Sequence, residues 1–256
     1  MNFFEHKTAA ARYARCRPYF HLIVMEHIRS YLKLQAPVGQ ALDVGCGTGQ
    51  SAVALKSIAQ AVVGTDISPA MLAEAEEVSG IRYVEAPAEV IPLPDASFDL
   101  ITAGLAFHWF DQDRFLSEAQ RLLKSGGWLV IYNNGFSGKM KENGAFEQWG
   151  TSSYLQRYPS PPRNSQPLTV EQAAGFGFDF PHKERYENEI TFEVEELAAY
   201  LTTQSNIISV VEQGSESAEG VYQWLVEEMR SFFATGLPAT FLFGGYIWYL
   251  QKRSPR

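Results

Sequence analysis

A short apolar segment followed by alternating glycines is the feature that most restricts the fold of this chain. Residues 41–44 are ALDV and residues 45–49 are GCGTG, and residues 51–55 have the composition of a helix. A strand, a glycine loop and a helix in this order form the first turn of a doubly wound α/β unit, where ligands bind at the carboxyl end of the strand. Glycine suits such a loop because it reaches backbone angles closed to other residues and lets a ligand approach the main chain.

A carboxylate follows the next apolar segment. Residues 61–65, AVVGT, have the composition of a second strand and lead directly to Asp66. An acidic residue roughly 20 positions beyond the glycines binds the ribose hydroxyls in nucleoside-binding α/β folds. The glycine loop and Asp66 together predict a nucleoside cofactor.

The spacing of the glycines indicates which nucleoside. A dinucleotide fold needs a G-x-G-x-x-G loop, and its third glycine would stand at Gln50. Here the glycines stand at 45, 47 and 49, and Asp43 precedes them with a negative charge that would oppose a pyrophosphate and favour a cation. S-adenosylmethionine has a ribose, a sulfonium and an ammonium group but no phosphate. It is the ligand that this spacing favours.

The segments DVGCGTG (43–49) and VVGTDIS (62–68) resemble the first two motifs of class I S-adenosylmethionine-dependent methyltransferases, in particular the methyltransferase type 11 domain. The resemblance is strong over residues 41–132. It implies an α/β fold with a Rossmann-like, doubly wound seven-stranded sheet in the order 3-2-1-4-5-7-6, the last strand antiparallel, and S-adenosylmethionine as cofactor. It also implies the following cofactor-binding residues in this part of the chain: Asp43, Gly45, Cys46, Gly47, Asp66, Ile67, Met71, Ala88, Glu89 and Ala103.

The adenine pocket departs from the family pattern. Ile67 and Met71 resemble the apolar pair that sandwiches adenine in the family, although Met71 also has the character of a core residue. Family members usually carry an acidic residue just before the alanine that corresponds to Ala88, and Pro87 stands there instead. Adenine recognition is therefore expected to depend on the backbone of Ala88 and on Glu89.

The first 34 residues have apolar positions at helical spacing, and Pro18 is expected to divide this helix into two. The segment YARCRPY (13–19) resembles a tyrosine/arginine-proline segment that lies over the methionine end of the cofactor in one subgroup of the family. This resemblance implies Tyr13 and Arg17 as cofactor contacts and residues 1–35 as a helical lid. The alternative is that Arg17 is a solvated surface charge and Tyr13 packs on a helix face.

A histidine follows the predicted fourth strand. Residues 105–111, LAFHWFD, resemble the subgroup that includes trans-aconitate methyltransferases, which implies a small-molecule acceptor, with a carboxylate as one candidate. His108 is a candidate general base and Trp109 a candidate substrate contact, although a histidine among aromatic residues is also typical of a packed or capping residue. A carboxylate acceptor is already ionised at neutral pH and needs no base, whereas an amine or a phenol would need one.

Residues 135–188 are polar, aromatic and proline-rich, and too long for an ordinary loop. The aromatic residues argue against disorder. We expect a substrate cap inserted after strand five, in which Arg157 or Arg163 is available to bind a carboxylate through two parallel hydrogen bonds. The alternative is an ordinary helical subdomain with solvated arginines.

The predicted organisation is a single domain over residues 1–256. It comprises the lid (1–35), a cofactor-binding core (36–134), the cap (135–188) and the C-terminal part of the sheet (189–256). Within the last part, we expect strand six at 189–193, helices at 194–203 and 221–233, and the last strand at 240–250.

Composition argues against several classes of function. The net charge is −8, whereas a surface that binds nucleic acid needs clustered lysines and arginines. Histidines and cysteines are too few and too scattered for a metal site, and Cys46 is expected to be a small filler of the loop and not a nucleophile. No apolar segment is long enough to span a bilayer, so we expect no membrane association and a cytoplasmic location. The residues do not indicate the oligomeric state.

Two alternatives from other classes remain. An NAD(P)-dependent oxidoreductase on a Rossmann-like fold is opposed by the missing third glycine and by the absence of a Tyr-x-x-x-Lys pair from the sequence. A non-catalytic regulator that binds S-adenosylmethionine is not excluded by any residue. The function that the sequence favours is methyl transfer from S-adenosylmethionine to a small molecule by in-line displacement.

Overall fold

The computed structural model describes residues 7–161 and 167–254. The helices are α1 (Lys7–Cys16), α2 (His21–Tyr31), α3 (Gln50–Leu55), α4 (Pro69–Leu72), α5 (Gln112–Leu122), α6 (Ala145–Trp149), α7 (Leu155–Arg157), α8 (Val170–Gly175), α9 (Val194–Leu201), α10 (Ser205–Glu212) and α11 (Ala218–Met229). The strands are β1 (Val38–Val44), β2 (Ala59–Asp66), β3 (Ile81–Glu85), β4 (Phe98–Gly104), β5 (Leu123–Tyr132), β6 (Gly135–Met140), β7 (Phe178–Phe192) and β8 (Ala239–Lys252). Among the described residues, no helix combines the length and the apolar character needed to cross a bilayer.

The chain divides into two compact units. The sheet unit comprises Tyr19–Asn134, Arg163–Tyr186 and Gly245–Arg256. The helical unit comprises Met1–Pro18, Gly135–Pro162 and Glu187–Gly244. The unit boundaries fall within β7 and β8, so each of these strands contributes residues to both units.

In the sheet unit the strand order is β3-β2-β1-β4-β5-β8-β7. Strands β1 to β5 are parallel to their neighbours, and Leu42 of β1 lies beside Val63 on one side and Ile101 on the other. Strand β8 is antiparallel to β5, with Tyr132 beside Ile247. Since β7 and β8 are the predicted strands six and seven, the predicted order and the antiparallel last strand are confirmed.

The core of the sheet unit lies on both faces of the sheet. Successive strand residues point to opposite faces, so Ala41 and Leu100 pack with residues of α2 and α3, whereas Leu42 and Ile101 pack with residues of α5. A parallel strand buried on both faces needs an almost continuous apolar run, as in residues 41–44. Helices on both faces make this the predicted doubly wound architecture.

The helical unit has its own aromatic core. It contains α1, α6, α7, α9, α10 and α11 together with β6, which pairs antiparallel with the first part of β8, Phe136 beside Phe243. Helix α9 begins with a capping box between Glu193 and Glu196. The fully buried aromatic side chains of this core include Phe146, Tyr158, Tyr200, Phe241 and Phe243.

Three features of the fold differ from, or refine, the prediction. Strand β6 is an eighth strand in the segment predicted as a cap, and β7 begins at Phe178 instead of 189. Pro181 is tolerated within β7 because this strand pairs only with β8 and forms an edge of the sheet unit. The predicted cap, residues 135–188, is itself divided between the two units.

Three predictions on the organisation of the chain stay predictions. They are the role of residues 135–188 as a cap, the role of residues 1–35 as a lid, and the single domain.

The predicted break in the N-terminal helix is confirmed. Helix α1 ends at Cys16 and α2 begins at His21, on either side of Pro18. Proline disfavours the helical conformation of the residue before it, so the helix cannot run through this point without strain.

Candidate functional site

The loop between β1 and α3 has the left-handed backbone that its glycines were predicted to permit. The φ angle is 70° at Gly45, 54° at Gly47 and 80° at Gly49. A Cβ atom on Gly45 would also lie 2.6 Å from the Cβ of Ala106. The Gly45 N–H donates to the carbonyl of Thr65 at 2.8 Å, which fixes the loop to the end of β2. Glycine is therefore required here both for backbone conformation and for space.

Asp43 is fully buried beneath this loop. One carboxylate oxygen accepts from the Ser51 hydroxyl of α3, and the other accepts from the Thr102 hydroxyl of β4 at 2.8 Å. Burial raises the pKa of Asp43 to about 6, against the lowering effect of the two hydroxyls. Both oxygens of Asp43 thus bind the protein itself, and its predicted cofactor role stays a prediction.

Asp66 joins the end of β2 to the glycine loop and to α4. Its Oδ2 accepts the N–H of Gly47 at 2.8 Å, and its Oδ1 accepts the N–H of Ser68 at 2.8 Å. Burial raises the pKa of Asp66, and the backbone donors act in the opposite direction. A carboxylate has about four acceptor positions. A ribose hydroxyl can therefore bind to Asp66 while both protein donors stay in place.

The predicted adenine contacts differ in exposure. Ile67, next to Asp66, is 58% exposed, whereas Met71 is 4% exposed and packs its methyl group toward Gly47. Ala88 is buried, and Glu89 accepts the N–H of Asp111 at 2.9 Å. Ile67 thus offers an apolar surface to a base, while Met71 supports the loop from below and Glu89 fixes the exit of β3.

The end of β4 leads into the segment predicted to face the acceptor. Ala103 is fully buried within the strand, and Leu105 after it has a positive φ of 57°. His108 and Trp109 lie in the 3₁₀ turn Phe107–Trp109, with their rings tilted against each other at 4.7 Å between centroids. Trp109 is 39% exposed. The turn presents both rings at the end of β4, which agrees with either predicted role of His108.

Cys46 is buried in the loop. Burial raises the pKa of its thiol well above the ordinary value, and Asp43 and Asp66 act in the same direction. Nucleophilic cysteines are instead found where the thiolate is stabilised. These surroundings agree with the predicted role of a small filler.

Tyr13 and Arg17 belong to the helical unit. The guanidinium of Arg17 donates to the carbonyl of Thr203 at 2.9 Å and lies over the ring of Tyr13 at 4.5 Å and that of Tyr200 at 5.4 Å. Its Nε–H is buried and has no acceptor within the described part of the chain. The alternative of a solvated surface charge therefore does not describe Arg17.

Arg157 also belongs to the helical unit and is already paired. Its guanidinium binds the carboxylate of Glu216 at 2.8 Å and lies over the ring of Trp224 at 4.5 Å. A substrate carboxylate would have to compete with Glu216 for this side chain. Arg163, the other arginine predicted for the acceptor, lies outside the described residues.

One pair near the carboxyl edge of the sheet was not predicted. The His21 Nδ1 and the Tyr132 hydroxyl are 2.9 Å apart, and both side chains are buried. Tyr132 ends β5 and pairs with Gly104 at the end of β4. Gly104 leaves room for the ring of Tyr132. No pattern in the sequence pairs Tyr132 with His21.

The predicted residues thus fall into two groups. Strands β1 to β5 are parallel, so their carboxyl ends share one edge of the sheet unit. Most of the predicted residues lie at that edge, in the ends of its strands or in the loops, turns and helix α4 that directly follow them. They are Asp43, Gly45, Cys46, Gly47, Asp66, Ile67, Met71, Ala88, Glu89, Ala103, His108 and Trp109. Tyr13, Arg17 and Arg157 belong to the helical unit.

This strand order, with a glycine loop and a buried carboxylate at the carboxyl edge, is the class I methyltransferase fold. Residues 42–131 match the family described as "Methyltransferase domain". Residues 42–131 therefore form a methyltransferase domain, and the predicted resemblance of this part of the chain to the class I S-adenosylmethionine-dependent methyltransferases is confirmed. The resemblance to the trans-aconitate subgroup stays a prediction.

The chain is similar to proteins of several organisms. It is 40% identical to the demethylmenaquinone methyltransferase of Thermus thermophilus over 39% of this chain and 49% of that protein. It is 34% identical to the malonyl-[acyl-carrier protein] O-methyltransferase of Erwinia pyrifoliae over 59% of this chain and 55% of that protein. The chain thus spans about half the length of these two relatives.

A solved structure covers more of the chain. The candidate type II methyltransferase of Anaeromyxobacter dehalogenans superimposes with a TM-score of 0.69 at 25% identity, over 94% of this chain and 99% of that one. Because the superposition includes nearly all of both chains, the fold likeness extends beyond residues 42–131.

Proposed function

We propose that this chain transfers a methyl group from S-adenosylmethionine to a small-molecule acceptor. The observation that carries this proposal is the hydrogen bond from the Gly47 N–H to Asp66, which joins the left-handed glycine loop to a carboxylate at the carboxyl edge of the sheet. Asp66 keeps acceptor positions for ribose hydroxyls beside its two backbone donors, and Ile67 offers an apolar surface to adenine. The buried carboxylate of Asp43 beneath the loop would oppose a phosphate there.

The protein's part in this reaction is alignment and exclusion of water. When bound, S-adenosylmethionine supplies a methyl group on a sulfonium, which is electrophilic enough to be displaced in line by an acceptor oxygen, nitrogen or carbon. The glycine loop and Asp66 orient the donor, and the turn that carries His108 and Trp109 faces the acceptor. Alignment of this kind contributes several kcal/mol to catalysis, so an acid/base pair is not required for an ionised acceptor.

Calorimetry with S-adenosylhomocysteine tests this proposal, with NADH titrated in parallel. We expect micromolar binding of S-adenosylhomocysteine alone, weakened by Asp66→Ala with the fold intact by circular dichroism. Asp179→Ala is the matched control, because Asp179 is an exposed carboxylate paired with Arg253. Binding of NADH alone would instead indicate an oxidoreductase. Binding of S-adenosylhomocysteine without any methyl transfer would indicate a regulator.

For the acceptor we propose a carboxylate. The relatives leave this open, since one is named for demethylmenaquinone and the other for O-methylation of malonyl-acyl carrier protein, whose malonyl group has a carboxylate. Arg17 supports an anionic ligand. The three other half-buried arginines of the described residues, Arg12, Arg29 and Arg121, each pair with a carboxylate, whereas Arg17 has none there. A partly buried guanidinium is costly to leave without a counter-charge.

Arg17→Gln tests the carboxylate, with Arg230→Gln as control because Arg230 is an exposed arginine of the same unit, paired with Glu195. The probes are S-adenosylhomocysteine and trans-aconitate. Loss of S-adenosylhomocysteine affinity alone assigns Arg17 to the cofactor carboxylate, and loss of trans-aconitate binding or turnover alone assigns it to the acceptor. If neither changes, Arg17 binds no carboxylate. If trans-aconitate is inert and phenols or amines are methylated, His108 becomes the candidate base.

A further inference from the structure

Leu105 has a strained backbone at the carboxyl edge of the sheet. Its φ is 57°, and within residues 7–161 and 167–254 only Lys33 and Ala96 share this positive-φ conformation among the residues other than glycine. An L-residue holds it only where its surroundings impose it, and such strain is concentrated at functional sites. Leu105 directly follows β4 and precedes the turn that carries His108 and Trp109.

Tyr132 imposes this conformation from the neighbouring strand. Its carbonyl accepts the Leu105 N–H at 2.9 Å. Its ring covers Gly104 so closely that a Cβ atom on Gly104 would lie 2.5 Å from the tyrosine Cζ. Tyr132 therefore holds two successive residues, Leu105 through its main chain and Gly104 through its ring.

His21 in turn holds the Tyr132 ring. Its Nδ1 lies 2.9 Å from the Tyr132 hydroxyl, and the ring of Phe20 lies against the imidazole at 4.2 Å between centroids. His21 is 6% exposed, and burial lowers its pKa to about 3, so the imidazole is neutral at ordinary pH. This hydrogen bond satisfies the imidazole Nδ1 and one position of the tyrosine hydroxyl in a buried place.

We propose that His21 and Tyr132 are positioning residues for the methyl-transfer site. Their hydrogen bond fixes the Tyr132 ring over Gly104, the ring holds Leu105 in its left-handed conformation, and this sets the path of the chain into the turn with His108 and Trp109. The proposal rests on the proposed function, because it assigns the purpose of the strain to that site. His21 lies before the glycine loop in the chain and outside the segment 42–131 that matches the family.

The test compares affinity for S-adenosylhomocysteine with thermal stability. Tyr132→Phe removes only the hydroxyl, and we expect affinity to fall about fivefold or more, as for the loss of one hydrogen bond. His21→Leu should act alike, and His21→Asn should recover affinity, since its amide can replace Nδ1. Tyr249→Phe is the matched control: it removes a buried hydroxyl bound to Glu184 at 2.5 Å in the same unit, and should lower stability without changing affinity.

Leu105→Gly gives an independent test should the Tyr132 variant fail to fold. Glycine takes the same backbone without strain but no longer confines the turn, so affinity should fall. Lys33→Gly, at φ 53° in the turn after α2, should leave affinity unchanged. Wild-type affinity in the His21, Tyr132 and Leu105 variants, whatever their stability, would overturn the positioning role while the proposed function stands. A wild-type protein that binds no S-adenosylhomocysteine would overturn the proposed function, and the positioning role with it.

Discussion

Alanine at Gly45 tests whether the glycine loop is required for space as well as for conformation. Gly45 and Gly126 have nearly the same positive φ, 70° and 73°. A left-handed conformation costs an alanine about 1–2 kcal/mol at either position. At Gly126 the new Cβ would meet nothing within 4 Å, whereas at Gly45 it would lie 2.6 Å from the Cβ of Ala106 and 3.1 Å from the Cζ of Phe110. Overpacking of this kind adds about 1–3 kcal/mol.

We therefore expect Gly126→Ala to lower the free energy of unfolding by about 1–2 kcal/mol and Gly45→Ala to lower it by about 2–5 kcal/mol. Urea denaturation followed by circular dichroism measures both, and equal slopes would show that the unfolded states are comparable. Gly45→Ala should also weaken S-adenosylhomocysteine binding, while Gly126→Ala should not. If the two variants lose the same stability, the close approach of Ala106 to the loop has no energetic consequence and the reasoning is wrong.

Three other substitutions have defined outcomes. The pKa of Asp43 is raised in the folded state to about 6, so its protonated form stabilises the fold below the unfolded pKa and this contribution is lost as pH rises through 6. The difference in unfolding free energy between wild type and Asp43→Asn should thus fall by up to about 3 kcal/mol from pH 4 to pH 8. Urea denaturation across this range measures it, and a difference that does not change with pH would contradict the prediction. Ile67→Ala should leave the melting temperature unchanged, because Ile67 is 58% exposed. The same substitution should weaken the binding of S-adenosylhomocysteine severalfold by calorimetry, and an unchanged affinity would show that Ile67 does not contact adenine. Arg121→Ala should lower stability by about 1–3 kcal/mol without affecting that affinity, because Arg121 binds Glu118 and the carbonyls of residues 91 and 93; a loss of affinity at unchanged stability would show that it belongs to the site.

The conformation of the glycine loop and the position of Asp66 beside it could be predicted because their determinants are local. The left-handed angles at 45, 47 and 49 are a property of each residue's own backbone, and only glycine adopts all of them without strain. Asp66 follows from the same logic, since the end of β2 lies beside the end of β1 in any doubly wound sheet. Spacing within a single segment therefore indicated both the loop and the carboxylate.

The remaining features depend on contacts between distant segments. His21 and Tyr132 are separated by 111 positions, and Arg157 is paired with Glu216 across 59. No local pattern identifies the partner of any of these residues. The sequence therefore predicted Arg157 as available to a substrate, although Glu216 already binds it. Strand β7 was predicted too short for a related reason. Its exposed, charged residues and Pro181 are compatible with a strand only at an edge, and the edge is a property of the whole sheet.

The antiparallel pairing of β8 with β5 has a consequence for how the chain reaches its native state. Trp128 lies beside Gln251 and Tyr132 beside Ile247, so this pairing joins positions more than a hundred residues apart. Closing so long a loop carries an entropic cost that must be met before the contact stabilises anything, which slows folding. During synthesis, a nascent chain that has not yet reached residue 247 leaves the apolar edge of β5 unpaired. Until then that edge is a template for pairing with other chains, so the incomplete chain is more prone to aggregation than the folded protein.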